Sequence, residues 1–349
     1  MQLALTIDMI KNTGINNFLQ LDSNIPVVDV RTPAEFVQGH ICGAYNIPLF
    51  SNDERVKVGT TYKQVGREEA ILLGFDLTGS KWSAFIKQAL EIAPHKKIAL
   101  HCWRGGMRSG AMAWCLNLYG FEVYLLTGGY KHYRRRVLDI FAEKFNIRIL
   151  GGLTGSGKTK VLHQLKALGE QVVDLEGFAK HQGSAFGSMN NMEQPTQEQF
   201  ENDLANELKL LDPQRPVWIE DESITIGKRS IPNAFFHQMR DAPVMVLKVS
   251  LGARVDSLVA EYGVLDKGFL KECTQKIWKR LGPEQTKNAI AAIDEDRMAD
   301  FIRIVLVYYD KTYRSGLSKR DRAKVVEIDG GGTDAIVNAG LIIAKQNKL

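Results

Sequence analysis

Apolar positions in this chain fall into short continuous runs rather than strict alternation. VVDV (27–30), KIALHC (97–102) and EVYLL (122–126) read as strands buried on both faces, as in a parallel sheet. Between them, WSAFIKQALEIA (82–93) and SGAMAWCLNLYG (109–120) carry apolar residues at helical spacing, the second stopped by Gly120. Strand and helix alternate, so residues 1–130 are expected to form a small α/β domain with a parallel sheet. A basic linker helix is expected over 131–145. A second series of strands follows: IRILGG (147–152), QVVDL (171–175), PVWIE (216–220), VMVLKVS (244–250) and KVVEID (324–329). Residues 146–349 therefore read as another α/β domain, with a mostly helical region over 254–313. No internal repeat or low-complexity tract interrupts the pattern.

Composition narrows the class without naming a function. The chain has 349 residues, 44% hydrophobic and 24% charged, which suits a globular protein of about two domains. It holds no run of about twenty apolar residues, so no membrane partner is expected. The opening MQLALTIDMIKN lacks the basic start and small-residue cleavage site of a secretory signal. Cys42, Cys102, Cys115 and Cys273 show no paired metal or disulfide spacing. These features predict a cytoplasmic enzyme with reduced thiols. The net charge of +5 is mild but unevenly spread. Lys131, Arg134, Arg135 and Arg136 lie among Tyr130, His132 and Tyr133; Lys311, Arg314, Lys319, Arg320, Arg322 and Lys324 follow or surround Tyr308, Tyr309 and Tyr313. Cations interleaved with aromatics suit a polyanion with stackable bases, although a solvated helix face would have the same charges.

Two anion-cradling loops carry the candidate chemistry. In HCWRGGMRS (101–109), Cys102 ends an apolar strand. Loop N–H groups and the start of the next helix would lower its thiol pKa. Arg104 and Arg108 can pair with an oxyanion, Gly105 and Gly106 allow close backbone approach, and Ser109 closes an HC-x5-RS spacing. A buried cysteine acting only as a small hydrophobe would not need two arginines and two glycines after it. GLTGSGKT (152–159) meets the P-loop spacing, with a strand before it and a helix after. Gly152, Gly155 and Gly157 let backbone amides surround a diphosphate, Lys158 supplies charge, and Thr159 is placed to ligate Mg²⁺. Glu220 and Asp221, with Glu222 beside them, could supply the acidic group near such a metal or act as acid and base; a solvated strand end is the plainer reading.

Family resemblance then sharpens the picture. DVRTPAEFVQGHICGAYNIP (29–48) and LLTGGY (125–130) resemble the opening and closing signatures of rhodanese domains, in which a loop cysteine carries sulfur or selenium. Arg31 and Glu35 in the first signature read as scaffold rather than substrate contacts. The loop is longer than in many rhodaneses, which leaves sulfur, phosphate and a phosphate-borne chalcogen open as its ligand. With CWRGGMRSG (102–110), LLTGGYKHYRR (125–135), GLTGSGKT (152–159) and HQGSAFG (181–187), the whole chain resembles the tRNA 2-selenouridine synthase family. The resemblance implies geranylation of 2-thiouridine from geranyl diphosphate, then replacement of the S-geranyl group by selenium from selenophosphate. It implies that Cys102 accepts selenium while Arg104, Gly105, Gly106, Arg108 and Ser109 cradle the phosphate, and that the P-loop takes the prenyl diphosphate. Its partners would be tRNA at the anticodon wobble position and an enzyme supplying selenophosphate; the basic run Lys131, Arg134, Arg135 and Arg136, at the junction of the two domains, is the expected tRNA contact. A persulfide sulfurtransferase regulated by nucleotide binding is the competing reading.

Overall fold

The structure, a computed structural model, describes residues 9–184, 186–187 and 192–346. The start of the N-terminal segment and Ala185 of HQGSAFG lie outside the described residues. The chain divides into two compact units: Met1–Ile140 with Glu201–Asn206, and Phe141–Phe200 with Glu207–Leu349. Each is built on its own five-stranded parallel sheet, as the α/β reading expected.

In the first unit the strands are β1 (Ile10–Thr13), β2 (Val27–Asp29), β3 (Tyr45–Asn46), β4 (Lys97–His101) and β5 (Glu122–Leu126), ordered β1-β5-β4-β2-β3. β4 is central, with Ile98 opposite Val123 and Leu100 opposite Val28, and it buries everything after Lys97. Helices Trp82–Ile92 and Met107–Leu118 contribute Phe85, Ala89, Met112, Ala113 and Leu116 to the same core. Two further helices, Asn52–Gln64 and Arg67–Thr78, form a hairpin between β3 and β4. Ser51 and Glu54 start it with a reciprocal capping box, which satisfies two otherwise orphaned N–H groups.

The boundary of this unit corrects the expected linker. The helix after β5 runs Gly129–Ile140, and Tyr130, Tyr133, Val137 and Ile140 are buried, so this helix is part of the first unit. Its apolar residues recur at one face while its charges occupy the other.

In the second unit β6 (Ile147–Gly152), β7 (Gln171–Val173), β8 (Val217–Glu220), β11 (Val244–Lys248) and β12 (Val325–Asp329) are ordered β12-β11-β6-β8-β7. A small antiparallel pair, β9 (Thr225–Ile226) and β10 (Arg229–Ser230), lies outside this sheet. Helices Lys158–Ala167 and Ala335–Lys345 share its core through Val161, Leu162, Leu165, Ala339 and Ile342. The helical region is slightly wider than expected: five helices occupy the stretch from Leu251–Tyr262 through Met298–Leu317. They enclose a separate core around Leu258, Leu270, Phe301 and Val305. Among the described residues no helix is long and apolar enough to cross a membrane.

Candidate active loops

Both loops leave the carboxyl end of a central parallel strand, where parallel sheets open crevices for ligands. Cys102 is buried directly after β4. Ser109, in the first turn of Met107–Leu118, donates its hydroxyl to Cys102 Sγ at 3.1 Å. Burial opposes thiolate formation, but the Ser109 hydroxyl, the backbone N–H groups of Ser109 and Arg104, and the Arg108 charge outweigh it and lower the thiol pKa. The other cysteines point the opposite way. Cys42 lies 3.1 Å from Asp203 Oδ1 and is pushed up to about 12 by burial and that carboxylate. Burial also raises Cys115 and Cys273.

The loop is locked from behind by the second rhodanese-like signature. Tyr130 N–H donates to Cys102 O at 2.8 Å, and Lys131 N–H to Trp103 O at 2.9 Å. Gly105 has φ +65°, and a Cβ there would lie 2.7 Å from Leu126 O and 2.9 Å from Gly128 N. A side chain at Gly129 would meet Cys102 O and Gly105 N. Arg108 is aimed by Glu35, with Nη1 to Oε2 at 2.6 Å and Nη2 to Oε1 at 3.3 Å. Burial alone would raise the Glu35 pKa, yet Arg108 and the Thr32 N–H hold it below its ordinary value. Arg31 is held by Asp29 and Gly39 O, with its guanidinium 3.7 Å from the Tyr130 ring centroid, and so acts as scaffold. His101 is fully buried, and that burial pushes its pKa down to about 4, so the imidazole is neutral. Arg104 is exposed and lines a cavity of about 930 Å³ beside the loop, together with Arg108.

The P-loop follows β6 and opens the helix Lys158–Ala167. Lys158 Nζ donates to Gly152 O at 3.0 Å, folding the side chain back over the loop. A Cβ on Gly155, whose φ is +83°, would come within 3.0 Å of Leu258 and of Arg254 O. Arg254, buried, donates to Thr154 O at 3.0 Å and to both carboxylate oxygens of Asp310 at 2.8–2.9 Å. The helical region thus grips the loop through Arg254. Tyr313, from the longest helix, accepts the Gly152 N–H at 2.8 Å.

Thr159 Oγ1 lies 3.1 Å from Glu176 Oε2 and 3.2 Å from Glu220 Oε2. Glu176, Glu220 and Glu222 can bring one oxygen each within 4.8 Å of one another. Burial, then mutual repulsion, raises Glu220 well above its ordinary range; burial first, with neighbouring carboxylates, lifts Glu176 to about 7 and Glu222 to about 8. Buried Glu220 Oε1 has no hydrogen-bond partner among the described residues. Three carboxylates, one of them with an unsatisfied buried oxygen, and a hydroxyl fit a hard divalent cation such as Mg²⁺. Asp221 is placed differently: its carboxylate receives Arg320 at 2.6 Å and Arg240 at 3.4 Å. Glu176 was missed by sequence reading; the signal available was its position just after QVVDL.

The basic segments are more heavily engaged than their composition suggested. Tyr130 and Tyr133 are buried and cannot stack on bases. Arg134 pairs with Glu201 and donates to Asn202 Oδ1 at 2.6 Å, and Arg136 is half-buried; Lys131 and Arg135 remain exposed. In the later run Arg320 is buried against Asp221, whereas Lys311, Arg314, Lys319 and Arg322 are exposed.

A cradled, acidified thiol on one sheet and a phosphate loop on the other define a rhodanese-like domain combined with a P-loop domain. Family models match accordingly: a rhodanese-like domain over residues 17–136 and the tRNA 2-selenouridine synthase AAA domain over 145–338. The chain belongs to the tRNA 2-selenouridine synthase family. It is 36% identical over 354 residues to the tRNA 2-selenouridine synthase of Hydrogenovibrio crunogenus, covering 90% of this chain and 94% of that protein. The Nitrosomonas europaea synthase is 40% identical over 248 residues, 69% of this chain and 64% of its own length. That of Bdellovibrio bacteriovorus is 39% identical over 275 residues, 74% of this chain and 69% of its own length.

Proposed function

We propose that this protein replaces the 2-sulfur of a tRNA wobble uridine with selenium in two steps, one at each loop. At the P-loop, the thiocarbonyl sulfur attacks C1 of geranyl diphosphate; a C–S bond forms, the C–O bond breaks and diphosphate leaves. The loop N–H groups and Lys158 stabilise the charge on that leaving group. Mg²⁺, which Thr159, Glu176, Glu220 and Glu222 would hold, would supply further neutralisation of the diphosphate. At the cysteine loop, S-geranyl-2-thiouridine, selenophosphate and water give 2-selenouridine, geranyl thiol and phosphate.

That exchange leaves the oxidation state of selenium unchanged. Addition of the Cys102 thiolate to C2 expels geranyl thiolate, selenium then displaces Cys102, and hydrolysis of the P–Se bond releases phosphate. This order closes without an outside reductant. Selenium parked on Cys102 as a perselenide, the form implied by the resemblance, would need a thiol to release it. Arg104, Arg108 and the loop N–H groups would hold the selenophosphate anion.

The observation carrying this reading is a loop cysteine that accepts the Ser109 hydroxyl at 3.1 Å and a separate diphosphate-type loop in the same chain. It is tested by following modified nucleosides in tRNA by mass spectrometry. Cys102→Ser should stop selenium incorporation and accumulate the S-geranyl nucleoside. Lys158→Ala should lower geranylation by about a hundredfold or more, as for loss of a charge-stabilising donor, while a pre-geranylated tRNA is still selenated. Loss of both steps in folded Cys102→Ser would reject the division of labour. ATP hydrolysis stoichiometric with turnover would favour the nucleotide-regulated sulfurtransferase.

A further inference from the structure

The cavity beside the Cys102 loop has a composition that the anion cradle does not explain. One wall is the helix that follows the cysteine, through Met107 and Ala111; the other is the helical hairpin, through Val56, Ile71 and Phe75. Its volume of about 930 Å³ is within the range of small-molecule sites. Val56 is 67% exposed, Phe75 55%, Met107 54% and Tyr62 53%, and all four line this one cavity. Leaving large apolar side chains in water around a single concavity adds nothing to folding, and such a patch marks a binding site. Arg55, Lys63, Arg104 and Arg108 also line it, and among the described residues no carboxylate does. The site therefore offers a hydrocarbon surface with positive charge beside it, against the loop and helix that follow Cys102. The P-loop cavity differs: Glu176, Glu220, Asp221, Glu222 and Glu261 line it.

We propose that this cavity binds the prenyl chain of the S-geranylated nucleotide and thereby selects alkylated thiouridine for the selenium step; the proposal rests on the two-step reading above. The chain would lie between Met107 and Phe75 while Arg104 and Arg108 meet the anionic reactants. Burying the hydrocarbon there would fix the C2–S bond beside the cysteine loop, so the leaving group itself becomes the recognition element. Thiouridine without the chain would lack this anchor, which would enforce the order of the two steps.

The test uses the full chain with Val56→Asp and Phe75→Asp combined, both at exposed positions where folding should survive; thermal melting checks that it does. Single-turnover selenation is measured on anticodon stem-loop RNA bearing S-geranyl- or S-methyl-2-thiouridine, and geranylation is measured separately. Wild type should favour the S-geranyl RNA in kcat/KM by at least about tenfold, given the apolar surface a longer chain buries. The double variant should lose that preference while keeping its S-methyl rate and its geranylation rate. An unchanged S-geranyl preference would overturn the proposal. So would a loss confined to geranylation, which would give the cavity to the prenyl donor, or an equal loss on both RNAs, which would make it an RNA or protein surface. If wild type selenates neither alkylated RNA, the two-step reading fails instead. Equilibrium dialysis of the S-geranyl and S-methyl nucleosides then judges the cavity separately, and equal affinities would sink it.

Discussion

Burial works against the Cys102 thiolate, and a few short-range donors, led by the Ser109 hydroxyl, hold the thiol pKa below its ordinary value. Ser109→Ala should therefore raise the thiol pKa, slow alkylation by iodoacetamide at neutral pH and move the midpoint of its pH profile upward. An unshifted profile would mean that the backbone amides and Arg108 suffice. Cys42, held near 12, serves as an internal control and should stay unreactive. Residue-level legibility followed sequence distance. Cys102, Ser109 and Lys158 sit within contiguous motifs whose spacing carries the geometry. Glu35 lies 73 residues from Arg108, and Arg254 lies 56 from Asp310; no local pattern could announce those pairs.

Elements were read well where hydrophobic period was clean. The buried runs around β4, β6, β8 and β11 became strands because both faces of each sheet are covered. The hairpin Asn52–Gln64 and Arg67–Thr78 went unread because its apolar residues do not form one inward stripe, several of them facing the cavity instead. The helix Gly129–Ile140 was read through its charges, although Tyr130, Tyr133, Val137 and Ile140 already spelled out a packing face. The helical region over the P-loop yields a prediction at this scale. Arg254→Ala would leave Asp310 and Thr154 O without their buried partner. It should destabilise the protein by about 3 kcal/mol in urea unfolding and raise the KM for geranyl diphosphate. Asp310→Asn should show a milder version, since the Arg254 contact to Thr154 O survives.

At the scale of the whole molecule, the carboxylates beside the P-loop couple stability to pH. Glu176 and Glu222 are raised from an ordinary 4.5 to about 7 and about 8. Between these values the folded protein retains protons that the unfolded chain has released. Stability therefore falls as pH rises from about 4.5 to about 8, and the contribution is level outside that window. Without divalent cation, Tm should decline across the window, and Glu222→Gln should flatten the decline. Mg²⁺ should raise Tm more at pH 8 than at pH 6, because ionised carboxylates bind it without first losing protons. Equal Mg²⁺ shifts at the two pH values would remove these glutamates as ligands. Both sheets place their candidate loops at the carboxyl end of a strand, as the alternation of strand and helix predicted; the clustering of Glu176 with Glu220 was not foreseeable, because it depends on β7 lying beside β8. The interlock of Gly129 with Cys102 and Gly105 reaches into biosynthesis. A nascent chain on the ribosome can make β4 and its cysteine, yet nothing closes the loop until residue 129 has left the exit tunnel. The groups that acidify the sulfur, Arg104, Arg108 and Ser109, emerge soon after it, whereas the backing turn arrives only with residues 129–131, so the nascent loop carries its donors before it has the backbone that fixes them.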